Sequence, residues 1–278
     1  MNPLLKINKK LNSIATKYKK LISCIKSYMD IYFPNKYNFT YKTQKYTFNM
    51  IFASIIDFIK SGSSYHNYVG IVNSKTLNFH VNFFARNFDS IYTYIYNKYQ
   101  HNIHTIKHLS IDTSFIGNKY GSQFLGRNKY FKNKRGYKLS LLIDNKGIAN
   151  SILIRPGNLN DKNIGIEHLN KINFISKLNR NAYMLADKGY DSNDFKTKCK
   201  MINCQPLIAQ NKRNIKDTNK FVSINKSLLK IYKKRILVEN IFARIKKYNR
   251  INYICDSYFT YVFYVYLALC ITTIYKYL

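Results

Sequence analysis

The chain has 278 residues, with 46 Lys and Arg against 13 Asp and Glu, and a formal net charge of +33. Hydrophobic residues make up 46% of the chain and aromatic residues 16%. They are enough to bury a core, which excludes a disordered basic tail. The five scattered Cys form no CxxC pair and therefore exclude a disulfide framework. The surplus of cations favours a polyanionic partner, most simply nucleic acid.

The N-terminal third of the sequence has the apolar periodicity of helices over residues 4–99. An apolar helix at residues 50–59 ends at the breaker cluster 61–64, and a second helix covers residues 75–85. A third helix is expected to begin at Asp89, as its cap. Short helices separated by Lys and Arg resemble a helix-turn-helix module, although a plain helical packing domain fits this segment equally well.

The pattern changes after residue 108. Residues 109–112 read as a strand that ends in Asp112, and a Gly- and Lys-rich loop follows at residues 117–135. Two strands, 137–143 and 148–154, flank an Asp-Asn-Lys-Gly turn and predict a hairpin.

The rest of the chain alternates helices and strands. We expect a helix capped by Asp161, and then a strand at 182–186 that leads into Asp187. A helix capped by Asp191 or Ser192 should follow. The last expected elements are a strand at 206–209 and an amphipathic helix at 226–248. This order predicts an α/β (α+β) domain with a mixed sheet and helices packed on its faces.

Three carboxylates stand out in this arrangement. Asp112 and Asp187 each follow an apolar run, and strand ends are where ligands collect, although a single Asp there is commonly a turn residue. Glu239 is one of only two glutamates, the other being Glu167. Carboxylates brought together from separate segments suit Mg²⁺ or Mn²⁺ and two-metal phosphoryl transfer.

Glu239 belongs to a polar stripe on the predicted helix. Tyr232, Arg235, Glu239 and Lys246 fall within an arc of roughly 60° and extend over about 21 Å. A Glu flanked by cations is most often a solvated ion-pair partner. Beside two strand-end aspartates, however, the stripe favours a site in which Arg235 and Lys246 hold a phosphate backbone.

These residues resemble a known family. The spacing Tyr232-x2-Arg235-x3-Glu239-x6-Lys246 is similar to the signature of DDE insertion-sequence transposases of the insertion sequence four and five groups. The segment around Asp112 resembles their first-aspartate strand, and the segment around Asp187 resembles their second-aspartate motif. Arg155-Pro156-Gly157-Asn158 with Asp161 resembles the segment that follows the hairpin.

The resemblance implies an RNase H-like core in which Asp112, Asp187 and Glu239 form a catalytic triad that binds two Mg²⁺ or Mn²⁺ ions. It implies a transposase that binds the inverted-repeat ends of a mobile element and cuts and rejoins DNA. The expected domains are a helical DNA-binding region at residues 1–104 and an RNase H-like catalytic domain at residues 105–278.

Further expectations concern the partners. Lys132, Lys134 and Arg135, interleaved with aromatic residues, suit a DNA-contacting loop, although they also fit a solvated basic loop. Double-stranded DNA, at the element ends and at the target, is the expected partner, bound by a dimer during synapsis. The basic N-terminus lacks a secretory signal. We therefore expect an intracellular, DNA-associated protein, in the cytoplasm and nucleoid or in a nucleus.

The uncharged run at residues 258–275 is long enough to span a bilayer, but its Tyr and Thr content favours a buried helix. The resemblance implies that it is the last helix of the core, with no membrane involved. Two other functions stay open. One is a domesticated relative that acts as a nuclease or DNA-binding factor without transposition, and the other is a non-enzymatic basic nucleic-acid-binding protein.

Overall fold

The computed structural model describes residues 3–34, 46–100, 105–118, 124–171, 178–210, 224–248, 251 and 257–278. The chain divides into two compact units. The helical unit comprises Met1–Asn102 and Ile245–Leu278, and the sheet unit comprises Ile103–Arg244.

Among its described residues, the helical unit has four long helices before the sheet unit and one after it. They are α1 (Pro3–Lys17), α2 (Lys19–Tyr32), α3 (Phe48–Ser61), α4 (Ser74–Gln100) and, at the C-terminal end, α9 (Tyr258–Thr272). The predicted start and stop signals of α3 are both observed. The Thr47 hydroxyl accepts a hydrogen bond from the amide of Met50, and Gly62 ends the helix with φ 72°, a left-handed conformation that favours glycine.

Helix α4 corrects the prediction of two helices separated at Asp89. Ser74–Gln100 is one continuous helix of 27 residues. Asp89 lies within it and caps nothing, because its carboxylate accepts a hydrogen bond of 2.8 Å from the hydroxyl of Tyr266. In the sequence, Asp89 had the pattern of a helix cap, but in the structure its carboxylate bonds to a residue of another helix.

Helix α9 is the apolar C-terminal run. Tyr258–Lys276 passes the length and hydropathy test for a membrane span, as core helices of soluble proteins also do, and 72% of its most apolar window is buried inside the structure. The ring of Phe263 lies 4.9 Å from that of Phe88 and 6.2 Å from that of Phe84. The expected buried helix is thus observed, but it packs in the helical unit and is not the last helix of the sheet core.

The sheet unit confirms the predicted mixed sheet flanked by helices. Its strands are β1 (Ile106–Gly117), β2 (Gly126–Asn128), β3 (Lys134–Ile143), β4 (Ala149–Pro156), β5 (Leu178–Ala186) and β6 (Cys204–Ile208). The neighbours run in the order β4-β3-β1-β5-β6, with β2 pairing the start of β3 on the β4 side. The β4-β3 and β3-β1 pairs are antiparallel, and the β1-β5 and β5-β6 pairs are parallel.

The β3-β4 hairpin has the predicted turn. One Asp144 oxygen accepts hydrogen bonds from the amides of Lys146 at 2.8 Å and Ile148 at 3.0 Å. Gly147 takes the positive φ, 82°, that the turn requires. The predicted loop at residues 117–135 differs, because β2 and a 3-10 turn at Lys129–Phe131 make its described part the tip of a second hairpin, β2-β3.

In the described ranges of the sheet unit, four helices accompany the strands: α5 (Asp161–Asn170), α6 (Asn193–Met201), α7 (Lys226–Tyr232) and α8 (Ile236–Ile245). Helix α5 is fixed to the sheet by the buried His168, whose ring nitrogens contact the hydroxyls of Ser151 at 2.8 Å and Ser140 at 2.9 Å. Burial lowers the pKa of His168 to about 3, so this histidine is neutral and structural.

The predicted single helix at residues 226–248 is interrupted. A 3-10 turn at Lys233–Arg235 separates α7 from α8, and α8 ends at Ile245. The residues from Ile245 onward group with the helical unit, whereas the sequence suggested one catalytic domain from residue 105 to the C-terminus. The N-terminal boundary, between Asn102 and Ile103, lies near the expected one.

Candidate active site

Asp112 and Asp187 come together through the pairing of β1 with β5. Asp112 is not at a strand end, as the sequence suggested, because β1 continues to Gly117 alongside β3. Its parallel neighbour β5, however, ends at Ala186. Ser110 pairs with Leu185, so continuing this register by two residues sets Asp112 beside Asp187. The two aspartates therefore lie where the parallel part of the sheet ends.

Each aspartate is anchored by a local hydrogen bond. One oxygen of Asp112 accepts from the amide of Thr113 at 2.8 Å, and one oxygen of Asp187 accepts from the amide of Gly189 at 2.7 Å. Each carboxylate thus has one oxygen held by the backbone of its own segment.

Arg235 connects β1 to α8. Its guanidinium donates to Asp112 Oδ2 at 3.0 Å and, with its other terminal nitrogen, to Glu239 Oε1 one helical turn along. The Arg235 and Asp112 side chains are largely buried, whereas that of Glu239 is 48% exposed. One forked cation therefore brings a strand carboxylate and a helix carboxylate into the same site.

The three carboxylates influence one another electrostatically. Burial raises the pKa of Asp112 to about 6, and the negative charges of Asp187 and Glu239 add to the rise. The amide of Thr113 and the charge of Arg235 act in the opposite direction. Asp112 is thus an under-neutralised carboxylate, which is the kind of group that a further cation stabilises.

These residues fit a hard divalent cation by their chemistry, since carboxylate oxygens are the ligands that Mg²⁺ and Mn²⁺ prefer. In the described part of the chain, no three His, Cys, Asp or Glu side chains are already arranged to hold an ion. Arg235 takes up an oxygen of Asp112 and an oxygen of Glu239. A cation would have to compete with the guanidinium for these oxygens.

The remaining members of the predicted stripe differ in position. Burial raises the pKa of Tyr232, and the charges of Asp187 and Asp112 raise it further while Arg235 opposes them. Tyr232 therefore lies beside the carboxylates. Lys246 comes after the end of α8 and groups with the helical unit, so it does not continue the stripe on one helix. Burial lowers its pKa.

A fourth carboxylate, Asp161, belongs to the same region. The sequence suggested a helix cap, but the residue before it, Asn160, occupies the cap position and Asp161 faces β1. One Asp161 oxygen accepts from the hydroxyl of Thr113 at 2.8 Å and from the ammonium of Lys138 at 2.7 Å. The resemblance of the segment around Arg155 and Asp161 to a family motif was the signal in the sequence for this position.

Beneath these side chains lies Tyr190. It is completely buried, and burial raises its pKa, with the charges of Asp161, Asp112 and Asp187 contributing in the same direction. Gly189 sits between two of the carboxylates, since a Cβ there would lie 2.9 Å from an oxygen of Asp187 and 3.6 Å from one of Asp161. The four acids thus form one cluster around the ends of β1 and β5.

The three predicted DNA-contacting cations lie on the β2-β3 hairpin. Lys132 is in the turn, and Lys134 and Arg135 are the first residues of β3. All three are exposed, and none forms an ion pair with a described carboxylate. Their charges are therefore open to a phosphate.

Comparisons with known proteins agree with this geometry. The family model of the transposase DDE domain matches residues 103–274. A solved structure of piggyBac transposase, from a cryo-EM synaptic complex with hairpin DNA, is similar with a TM-score of 0.55 and 12% sequence identity, covering 96% of this chain and 72% of that chain. At 12% identity, this similarity establishes a common fold and nothing beyond it. A search of curated proteins finds no match to the sequence.

Proposed function

The chain belongs to the family of transposase DDE domains, and from this premise we propose that it binds the inverted-repeat ends of a mobile element and cuts and rejoins DNA there. The reaction is a two-metal phosphoryl transfer: strand hydrolysis is followed by transesterification at the target. Asp112, Asp187 and Glu239 are the catalytic and metal-binding residues.

One observation carries the proposal. Arg235 contacts both Asp112 and Glu239, while the β1-β5 register sets Asp187 beside Asp112. This arrangement supports a single site to which residues far apart in the sequence contribute three carboxylates. Solvated surface acids would not need a common buried cation, so this contact favours a functional site over incidental charges.

The carboxylates and the cations of the site have different roles. Asp112 and Asp187 are each held through one oxygen, by the amides of Thr113 and Gly189, and the second oxygen of Asp112 accepts from Arg235. When bound, two Mg²⁺ or Mn²⁺ ions would activate a water or a 3′-hydroxyl and stabilise the leaving oxygen. Arg235 and the hydroxyl of Tyr232 would hold a phosphate of the DNA backbone beside the carboxylates, and Lys246 of the helical unit would provide a further phosphate contact.

Lys132, Lys134 and Arg135 extend the phosphate contacts along the β2-β3 hairpin, and the helical unit contributes further binding surface as the DNA-binding region. Double-stranded DNA at the element ends and at the target is the partner. The chain acts as a dimer when it synapses two ends, and it works wherever the host DNA is, in the nucleoid or in a nucleus.

The test compares carboxylate variants in two assays. Asp187→Asn and Glu239→Gln should lower Mg²⁺-dependent cleavage of a DNA carrying the element ends by at least about a hundred-fold, because each removes a metal ligand. DNA binding, measured by fluorescence anisotropy, should survive both changes. Asp194→Asn, an exposed carboxylate on α6 of the same unit, is the matched control and should leave cleavage unchanged.

Two outcomes would contradict the proposal. A cleavage rate that is unchanged in Asp187→Asn would refute the triad and favour a non-enzymatic binding protein. A DNA affinity that does not fall with rising salt would remove the phosphate contacts from the argument, since neutralised phosphates release counterions. Inverted repeats flanking the open reading frame would separate an active element from a domesticated relative.

A further inference from the structure

The carboxylate of Asp161 has one oxygen that is fixed and one that is open. Its Oδ1 atom accepts hydrogen bonds from the hydroxyl of Thr113 at 2.8 Å and from the ammonium of Lys138 at 2.7 Å. Lys138 is held in turn by the carbonyl of Leu159 at 2.7 Å. Among the described residues, none donates a hydrogen bond to Oδ2 of Asp161. Two bonds to one oxygen therefore orient the carboxylate and leave its other oxygen for a ligand.

A small space lies between Asp161 and Asp187, over Gly189. A Cβ on Gly189 would lie 2.9 Å from Asp187 Oδ1 and 3.6 Å from Asp161 Oδ2. The φ of Gly189 is not positive, so the backbone conformation does not require glycine at this position. Asp161 and Gly189 both line a cavity of about 820 Å³, through which water reaches the space. The missing side chain thus leaves room for a water molecule that contacts both carboxylates.

The hydroxyl of Tyr190 lies in the same region, since the charges of Asp161, Asp112 and Asp187 add to the effect of burial in raising its pKa. This hydroxyl is buried and has no well-formed hydrogen bond among the described residues. The hydroxyl of Thr113 is close enough to oppose the rise in pKa, but it donates its own proton to Asp161. A buried polar group that lacks a partner calls for a water or an ion beside it.

We propose that Asp161 is a fourth carboxylate of the cation site, and that it positions the divalent ion beside Asp187 through a water molecule held over Gly189. The inference rests on the proposed function and adds a positioning residue to the three acids of the triad. Mg²⁺ keeps several of its waters when it binds to a protein, and groups that accept hydrogen bonds from those waters fix the position of the ion. Lys138 and Thr113 hold Asp161 ready for this contact.

A simpler role for Asp161 would be to neutralise Lys138, whose side chain is only 13% exposed. That role requires the ion pair but not the space over Gly189. Replacing Gly189 by alanine separates the two roles, because the added methyl group fills the space while every charge stays in place. The added Cβ would be closer to Asp187 Oδ1 than ordinary contact allows, so no water could remain between the two carboxylates.

The experiment measures Mn²⁺ binding to the full chain without DNA, by calorimetric titration at pH 8. Asp161→Asn should weaken Mn²⁺ affinity by about tenfold, the usual effect of losing a group that orients a metal site from outside its ligands. Gly189→Ala should weaken it by a similar factor. The double variant should lose no more than about the larger single loss, because both changes remove the same water.

Two controls match these changes. Glu167→Gln removes a charge from the same helix, about 9 Å further along α5. Glu167 also pairs with cations, and its side chain is 33% exposed against 31% for Asp161. Gly117→Ala adds a methyl group to the sheet unit where the nearest heavy atom is 3.9 Å away. Both controls should bind Mn²⁺ within about twofold of the unchanged protein, since charges at that distance are screened by salt.

Three outcomes would overturn the inference. The first is an unchanged Mn²⁺ affinity in Asp161→Asn. The second is a loss in Asp161→Asn with none in Gly189→Ala, because Asp161 would then act through its charge alone. The third is a double variant in which the two losses add in full, since the two changes would then not share one water.

The two proposals fail separately. If Mn²⁺ affinity falls in Asp187→Asn but not in Asp161→Asn, the triad holds its ion and the fourth carboxylate is wrong. If Mn²⁺ affinity falls in Asp161→Asn, Gly189→Ala and Asp187→Asn while DNA cleavage is unchanged in Asp187→Asn, the four-carboxylate ion site exists and the proposed catalytic function is wrong.

Discussion

At the scale of single residues, Arg235 links two of the carboxylates of the candidate site. It contacts both Asp112 and Glu239, and its contact with Asp112, between two largely buried side chains, is stronger than a surface ion pair, whereas Glu239 is half exposed. The same contacts occupy oxygens that a divalent cation would use. The arginine therefore stabilises the site without metal and competes with metal for it.

This competition gives a testable consequence. Replacing Arg235 by Gln should raise the affinity of the DNA-free protein for Mn²⁺ on the order of tenfold, because the competing charge is gone. Arg235→Lys keeps a charge, although not the fork, and should lie between the two. Calorimetric titration at pH 8 is the measurement, since the pKa of Asp112, about 6, then leaves little competition from protons.

Arg155→Gln is the matched control, because Arg155 also pairs with a glutamate of the sheet unit, Glu167, away from the carboxylate cluster. Its Mn²⁺ affinity should equal that of the unchanged protein. Weaker Mn²⁺ binding by Arg235→Gln would mean that the arginine assembles the ligands and does not compete with the ion.

At the scale of elements, the β2-β3 hairpin depends on a close approach at Gly157. A Cβ there would lie 2.7 Å from the Phe115 ring and 2.8–2.9 Å from the backbone carbonyls of Gly126 and Gly136. Its φ is not positive, so the requirement is one of space and not of backbone conformation. Glycine lets the end of β4 touch β2 and β3 together.

Gly157→Ala should therefore destabilise the protein by about 1–3 kcal/mol, the usual cost of overpacking against backbone that cannot move aside. Urea denaturation measures this loss.

Gly117→Ala is the control, since its nearest heavy atom would be 3.9 Å away, at ordinary contact distance. Comparable losses in Gly157→Ala and Gly117→Ala would show that the close approach at Gly157 is unimportant, since through the unfolded state alone a Gly→Ala change would stabilise the protein.

The elements also show which parts of the site the sequence could predict. Apolar alternation and turn residues predicted the β3-β4 hairpin, β5 and α3 correctly, because local chemistry determines them. The continuity of α4 and the interruption before α8 depend on distant contacts, Tyr266 with Asp89 and Arg235 with Asp112, that no local pattern contains. Local pattern explained Asp161 as a helix cap, and only the family resemblance of its segment set it apart.

At the scale of the whole molecule, the C-terminal segment returns to the helical unit and completes its core. Helix α9 has buried residues on all sides, so its amphipathic signal is weak and its partner could not be read from the sequence. The ring contacts of Phe263 with Phe84 and Phe88 identify α4 as that partner. The function of this helix is thus to stabilise the helical unit.

Phe263→Ala tests this role. The side chain is fully buried, so its removal should lower the free energy of unfolding by about 3–5 kcal/mol through lost burial and a new cavity. Amide hydrogen exchange should quicken in α4, whose aromatic face loses its cover. Phe259→Ala, on the same helix but 57% exposed, should cost no more than about 0.5 kcal/mol. If both variants lose stability equally, α9 is not held by this face, and its apolar run would need another explanation, such as contact with a bilayer.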